Sequence, residues 1–167
     1  MERKHISITA GGIRDGSLSV YEVLAPVSAV VDLTAGYMSY IADISLISGE
    51  QLYAFAVKTY LDEVSAGGHE KFLIDPAGML WREATDGMDI IGAEDAAENL
   101  RGLRDRFAPE PAFEQAGRIK QIEEGGLTFE KEDEAFRSCA GSIEAKLTEY
   151  IRANAEAFEY EGDIEVM

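Results

Sequence analysis

From Ser48 onward, apolar residues return at every third or fourth position, a period that an α-helix converts into one buried face. The first such segment carries Tyr53, Val57, Tyr60, Leu61 and Val64. Ser48 and Gln51 ahead of it have capping-box spacing, in which each side chain satisfies a backbone N–H left free by the first turn. Gly67-Gly68 should end this helix, because glycine takes the left-handed cap conformation without steric cost. A short piece from His69 to Ile74 then runs into Asp75-Pro76. Later faces are Leu80, Ala84, Met88 and Ile91, then Ala96, Leu100, Leu103 and Phe107. Pro109 and Pro111 precede a helix bearing Ala112, Ala116, Ile119 and Ile122, and the last helix carries Ile143, Leu147, Tyr150, Ile151 and Phe158. Upstream, Val20, Val23 and Leu24 make a short face. Pro26 suits the first turn of a second helix with Val30, Val31, Leu33, Tyr37, Tyr40 and Ile41. Strand-type alternation is scarce. The pattern predicts an all-α, compact multi-helix single domain over 20–167, behind a short irregular N-terminal arm over 1–19, polar and glycine-containing, for which a short strand or a disordered tail is the alternative.

The second constraint is charge. The 167 residues hold 32 Asp and Glu against 15 Lys and Arg, a formal net charge of -17. Such a field repels nucleic acid and anionic membranes and attracts basic protein surfaces. The acids are unevenly spread. Glu83, Asp86, Asp89, Glu94, Asp95 and Glu98 follow one another with no Lys or Arg among them. Glu83, Asp86 and Asp89 are three apart, which places them on the helix face opposite Leu80 and Ala84. A second run holds Glu123, Glu124, Glu130, Glu132, Asp133 and Glu134, relieved by Lys131 alone. The tail adds Glu156, Glu159, Glu161, Asp163 and Glu165. Carboxylates one helical turn apart stand about 5–6 Å from each other, close to the spacing of phosphates along a nucleic-acid strand. A solvated helix face is the ordinary explanation of one such cluster. Three clusters favour a surface that binds a basic partner.

Signals for chemistry are weak by comparison. His5 and His69 are the two histidines, and Cys139 the one cysteine. His69 follows a glycine pair and lies near Glu63 and Glu70 in sequence, but catalysis needs an orienting partner and a cleft. A packing or capping role is the simpler expectation. No His/Cys spacing suggests zinc, and no acidic run has the alternating oxygen ligands of a calcium loop. Gly11-Gly12 lacks the Lys-Ser/Thr of a phosphate loop. The expectation is a protein with no catalytic residues, no metal and no cofactor. A single cysteine fits a reducing compartment, and the start lacks the apolar run of a signal peptide, so a cytoplasmic location is expected.

Several short motifs add to this reading. Glu63-Val64 is followed by Gly67-Gly68-His69-Glu70 and Phe72, then by Gly78, Trp81 and Ile91-Gly92-Ala93. Asp133-Glu134-Ala135-Phe136 precedes Tyr150-Ile151, Asn154 and Phe158. In this order, from about Ser48 to Phe158, they resemble the DNA-mimic-protein-19-like family. Ser65-Ala66, Lys71 and Arg137 depart from the family pattern, which has an asparagine pair, a glutamine and an aromatic at those places. The resemblance implies a helical fold, a homodimer, and an acidic surface that occupies the DNA-binding face of another protein, such as a transcription factor. Tyr21, Tyr37, Met38 and Tyr40 are candidate subunit-contact residues. The leading expectation is therefore a binding protein rather than an enzyme. The alternatives are a regulatory or immunity-type module with a basic target that does not bind DNA, and an enzyme built on His69.

Overall fold

The computed structural model describes residues 1–166. Its core is all-α, as the periodicity predicts, and its centre is a helix long enough to touch most of the others. That helix, α4 below, begins where Ser48 accepts from the Gln51 N–H while the Gln51 side chain accepts from the Ser48 N–H. In chain order the helices are α1 (Ala10–Arg14), α2 (Val20–Val30), α3 (Tyr37–Ile44), α4 (Gly49–Ile74), α5 (Trp81–Ile90), α6 (Glu94–Arg104), α7 (Gln115–Gly125) and α8 (Glu130–Ala153). Helix α4 packs against α2, α5, α7 and α8, and α6 packs against both α5 and α8. Tyr60, Phe72, Leu73, Leu80, Met88, Ile143, Leu147 and Phe158 are among the fully buried side chains of this core. Among the described residues, no helix is long and apolar enough to cross a membrane.

The glycine pair breaks the long helix as expected: Gly67 and Gly68 leave helical geometry, Gly68 with φ 77°, and a second short piece runs on from the kink to Ile74 within α4. Two local expectations need correction. Pro26 does not open a new helix, because α2 runs through it from Ser19, which caps it in a box with Glu22. The 1–19 segment is not irregular. Strand β1 (Glu2–Ile8) pairs antiparallel with β2 (Tyr160–Val166), with His5 opposite Asp163 and Ile8 opposite Tyr160. Tyr160, Ile164 and Val166 alternate with Glu161, Asp163 and Glu165 in β2, and Ile6 and Ile8 lie two apart in β1, a short period-2 signal at the two ends of the chain. The ribbon's cross-strand partners include charges, Arg3 with Glu165 and His5 with both Glu161 and Asp163. Thr9 then caps α1, and a 3-10 turn at Ala155–Phe158 links α8 to β2, so Phe158 is buried outside the last helix.

Trp81 shows how the core is closed on one side. It is 5 % exposed and lies flat against Phe113, ring centroids 5.8 Å apart, with the Arg82 guanidinium 4.7 Å from the Phe113 ring. Its indole N–H finds no acceptor, so the residue contributes by packing alone. Trp81→Ala should cost about 3–5 kcal/mol in urea unfolding, as expected for a buried aromatic. Trp81→Phe should cost clearly less. Equal losses would mean that the indole N–H has a role that the packing does not explain.

Candidate functional site

The first acidic run lies along α5 and α6, and most of it faces water. Asp86, Asp89, Glu94, Asp95 and Glu98 are exposed. Glu94 and Asp95 form the first turn of α6, where negative charge is favoured by the positive end of the helix dipole. Glu83 departs from the expectation of a shared outer face. It is half-buried and turns toward Tyr40, and burial raises its pKa against the opposing effect of the Tyr40 hydroxyl. Neither that hydroxyl nor Glu83 Oε2 makes a hydrogen bond of normal geometry. Nor is the run free of local pairing. Arg101, one turn beyond Glu98, reaches back to Asp89 at 2.7 Å and Glu98 at 3.0 Å.

The second run splits into three kinds of residue. Glu123 and Glu124 are exposed at the end of α7, while Glu130 and Glu134 are exposed on the first turns of α8. Glu132 is buried instead, and its Oε1 accepts from Arg106 at 2.8 Å. Asp133 is half-buried and structural. Its Oδ1 accepts from the His69 backbone N–H at 2.8 Å and from His69 Nδ1 at 2.6 Å. Glu132 and Asp133 therefore do not belong to an open acidic face, because helix α8 turns them toward α6 and α4. Glu98 from the first run and Glu130 and Glu132 from the second line one cleft between α6 and the start of α8.

His69 has the orienting partner that its sequence neighbours do not supply. It is 0 % exposed, with Asp133 on Nδ1 and the Tyr60 hydroxyl 2.7 Å from Nε2. A neutral imidazole satisfies both contacts if Nδ1–H donates to Asp133 and Nε2 accepts from Tyr60. Phe136 packs edge-on against both rings. Gly68 is required beside them, because a β-carbon there would lie 2.7 Å from Asp133 Oδ2 and its φ is positive. Two separated motifs, Gly67-Gly68-His69 and Asp133 to Phe136, thus form a single joint between the kink of α4 and the start of α8. His69 is sealed from solvent, while Asp133 lines an open groove with Gly67, Gly68 and Arg137, and the geometry of the joint is that of a clamp. Arg118 is a second polar joint, with no warning in the helical pattern of α7. It is 0 % exposed and donates to the carbonyls of Leu73, Asp75, Ala112 and Phe113 at 2.6–3.1 Å. Burial pushes its pKa down to about 10, so it stays charged at neutral pH. Gly78 leaves room for it, since a β-carbon would stand 2.6 Å from Arg118 Nε.

Fold and surface together define an acidic helical protein in which two carboxylate runs, far apart in sequence, meet at one cleft. Residues 45–154 match the family described as DMP19-like protein, and the chain belongs to that family. No curated protein and no solved structure matches it. The matched segment contains the whole His69–Asp133 clamp, the Arg118 joint and both acidic runs.

The clamp has a pH signature. Burial lowers the His69 pKa below its ordinary 6.5, outweighing the hydrogen bond and charge of Asp133. The folded state therefore favours neutral imidazole. That contribution is complete above about pH 6.5 and is lost as pH falls below it, because the unfolded chain takes up the proton first. His5 has the opposite sign, as Asp163 and then Glu161 raise its pKa. Chemical denaturation between pH 7 and 5 should show His69→Gln less stable at pH 7 but with a flatter profile than the parent. Asp133→Asn should cost about 1.5–3 kcal/mol, the range for a hydrogen bond to a charged group. Parallel profiles for parent and His69→Gln would contradict a buried neutral His69.

Proposed function

We propose that this protein is an acidic binding module that occupies the DNA-binding surface of a basic partner protein. The observation that carries the reading is the meeting of the two runs. Exposed carboxylates on α5 and α6 and on the start of α8 lie on helices that pack together, and Glu98 and Glu130 border one cleft. Family membership supports the same reading, since a DMP19-like protein is by its name related to a DNA mimic. The partner is a DNA-binding protein such as a transcription factor, and the chain itself binds no nucleic acid. Its net charge of -17 favours fast capture of a basic surface and repels DNA.

Affinity capture from native cytoplasm with salt-gradient elution identifies the partner. The decisive variant is the combination Asp86→Asn, Glu94→Gln and Asp95→Asn, which leaves half-buried Glu83 and the Arg101 pairs with Asp89 and Glu98 in place. It should fold as the parent does, associate with the captured partner at least about tenfold more slowly at physiological salt, and lose most of its salt dependence. DNA should displace the parent from the partner. An unchanged association rate, or a complex that DNA leaves intact, would sink the reading.

A homodimer belongs to the same proposal. Of the candidate contact residues, Tyr40 is buried in the core and Tyr37 stacks on Phe113, whereas Tyr21 and Met38 are exposed. Met38 at 75 % and Leu46 at 74 % exposure, with Ile41 between them, make an apolar surface around α3. Sedimentation should show a dimer that Leu46→Glu converts to monomer without loss of helicity. A monomeric parent at micromolar concentration would refute it.

A further inference from the structure

Glu132 is an acidic residue of α8 that points inward, in a cleft of about 580 Å³ between α6 and the start of that helix. Its side chain is 9 % exposed. Oε1 is occupied by Arg106, while Oε2 is buried and accepts no hydrogen bond. A buried carboxylate oxygen without a donor is a standing cost to the fold. The walls do not supply the donor. Asn99 directs its Nδ2 to the Glu132 carbonyl at 3.0 Å, which leaves its own side-chain oxygen as a further acceptor. Glu98 and Glu130 add two carboxylates at the rim, against the cations of Arg106 and Lys131. There is also room, because Gly102 lines the α6 wall and nothing lies within 4 Å of where its β-carbon would stand.

We propose that this cleft is the receptor for one arginine side chain of the partner, whose guanidinium donates to Glu132 Oε2. The proposal rests on the reading that the acidic surface engages a basic protein, and it names where one residue of that protein goes. A planar fork with five N–H donors can serve Glu132 Oε2 and the Asn99 oxygen together, which the compact ammonium of lysine does less well. Arg106 shows that the cleft accepts such a group. Its guanidinium already lies 5.4 Å from the Phe129 ring centroid while bonding Oε1. Its side chain is 36 % exposed, and Glu132 Oε2 is closed to solvent in the free protein, so entry of the second guanidinium requires Arg106 to swing aside at the mouth.

The test uses the whole protein and N-acetyl-arginine amide as probe, read by nitrogen-15 NMR. Saturable shifts at millimolar probe are expected at the Gly102 and Thr128 backbone amides and at the Asn99 side-chain amide. The corresponding lysine derivative should bind more weakly. Glu132→Gln keeps the side-chain volume and the contact to Arg106, and should weaken probe binding by about tenfold or more. Gly102→Leu narrows the cleft from its α6 wall while leaving Glu132 in place, and should abolish the shifts. Thermal melting verifies that each variant is folded, and if Glu132→Gln is not, Gly102→Leu decides alone. Absence of saturable shifts in the parent, or their survival in either folded variant, overturns the arginine receptor. If that occurs while the partner complex still forms and is still displaced by DNA, the broader reading stands without this cleft.

Discussion

The hydrogen bonds that Asp133 accepts from His69 fix the relation between the two longest helices, and the acidic surface inherits its shape from them. They meet at the kink of α4, where a glycine with positive φ brings the backbone close to a carboxylate. Three consecutive residues of α8 then have three different fates. Glu132 faces α6, Asp133 faces the kink, and Glu134 faces water. A rotation of α8 by a fraction of a turn would exchange these roles and remove Glu130 and Glu132 from the cleft they share with Glu98. The clamp thus connects the core to the surface that the proposed function uses. Tyr60 completes it from the first half of α4 by bonding His69 Nε2, so the imidazole ties together both sides of the kink and Asp133 anchors it to α8.

The protein manages its excess of acid by placing its few cations where they join elements. Arg118 holds the end of α4 to the loop before α7, and Lys71 bridges Glu63 and Asp75 across the kink. Arg106, just past the end of α6, ties that end to α8, and Arg101 ties α5 to α6. These pairings leave Asp86, Glu94, Asp95, Glu130 and Glu134 exposed, with no ion pair among the described residues. Like charges held on neighbouring helices repel, which disfavours the fold by a modest amount that screening limits to a reach of about 8–10 Å. A basic surface that docks on them relieves the repulsion at the moment of binding.

The helical core was legible in the sequence because burial on one face imposes a period on each helix. Tyr60, Leu80, Met88, Leu100, Ile122 and Leu147 all fall inside, as that period requires. What lay beyond it were contacts between residues far apart in the chain. The β1–β2 ribbon joins the two ends of the chain, and its short alternation of Tyr160, Ile164 and Val166 with acids does not name the strand it pairs with. Arg118 sits in a helix whose local pattern gives an arginine no reason to be inside, because the carbonyls that hold it belong to other segments. His69 and Asp133 are separated by 64 residues. The two motifs that contain them nevertheless stood out together, and the structure gives the reason: each is half of the same clamp. In the acidic runs, spacing placed Asp86, Asp89, Glu94, Asp95 and Glu98 outside. It failed for Glu83, Glu132 and Asp133, whose orientations depend on Tyr40, Arg106 and His69.

The central claim is that the joined surface of α5, α6 and the start of α8 contacts the DNA-binding face of a basic protein. Zero-length coupling of carboxylates to amines in the captured complex, followed by mass spectrometry, tests it directly. The expected result is that Glu94, Asp95, Glu98 and Glu130 couple to lysines that DNA protects when it is bound to the partner. Coupling confined to the β1–β2 ribbon at Glu161, Asp163 and Glu165, or to partner lysines that DNA does not protect, would contradict it.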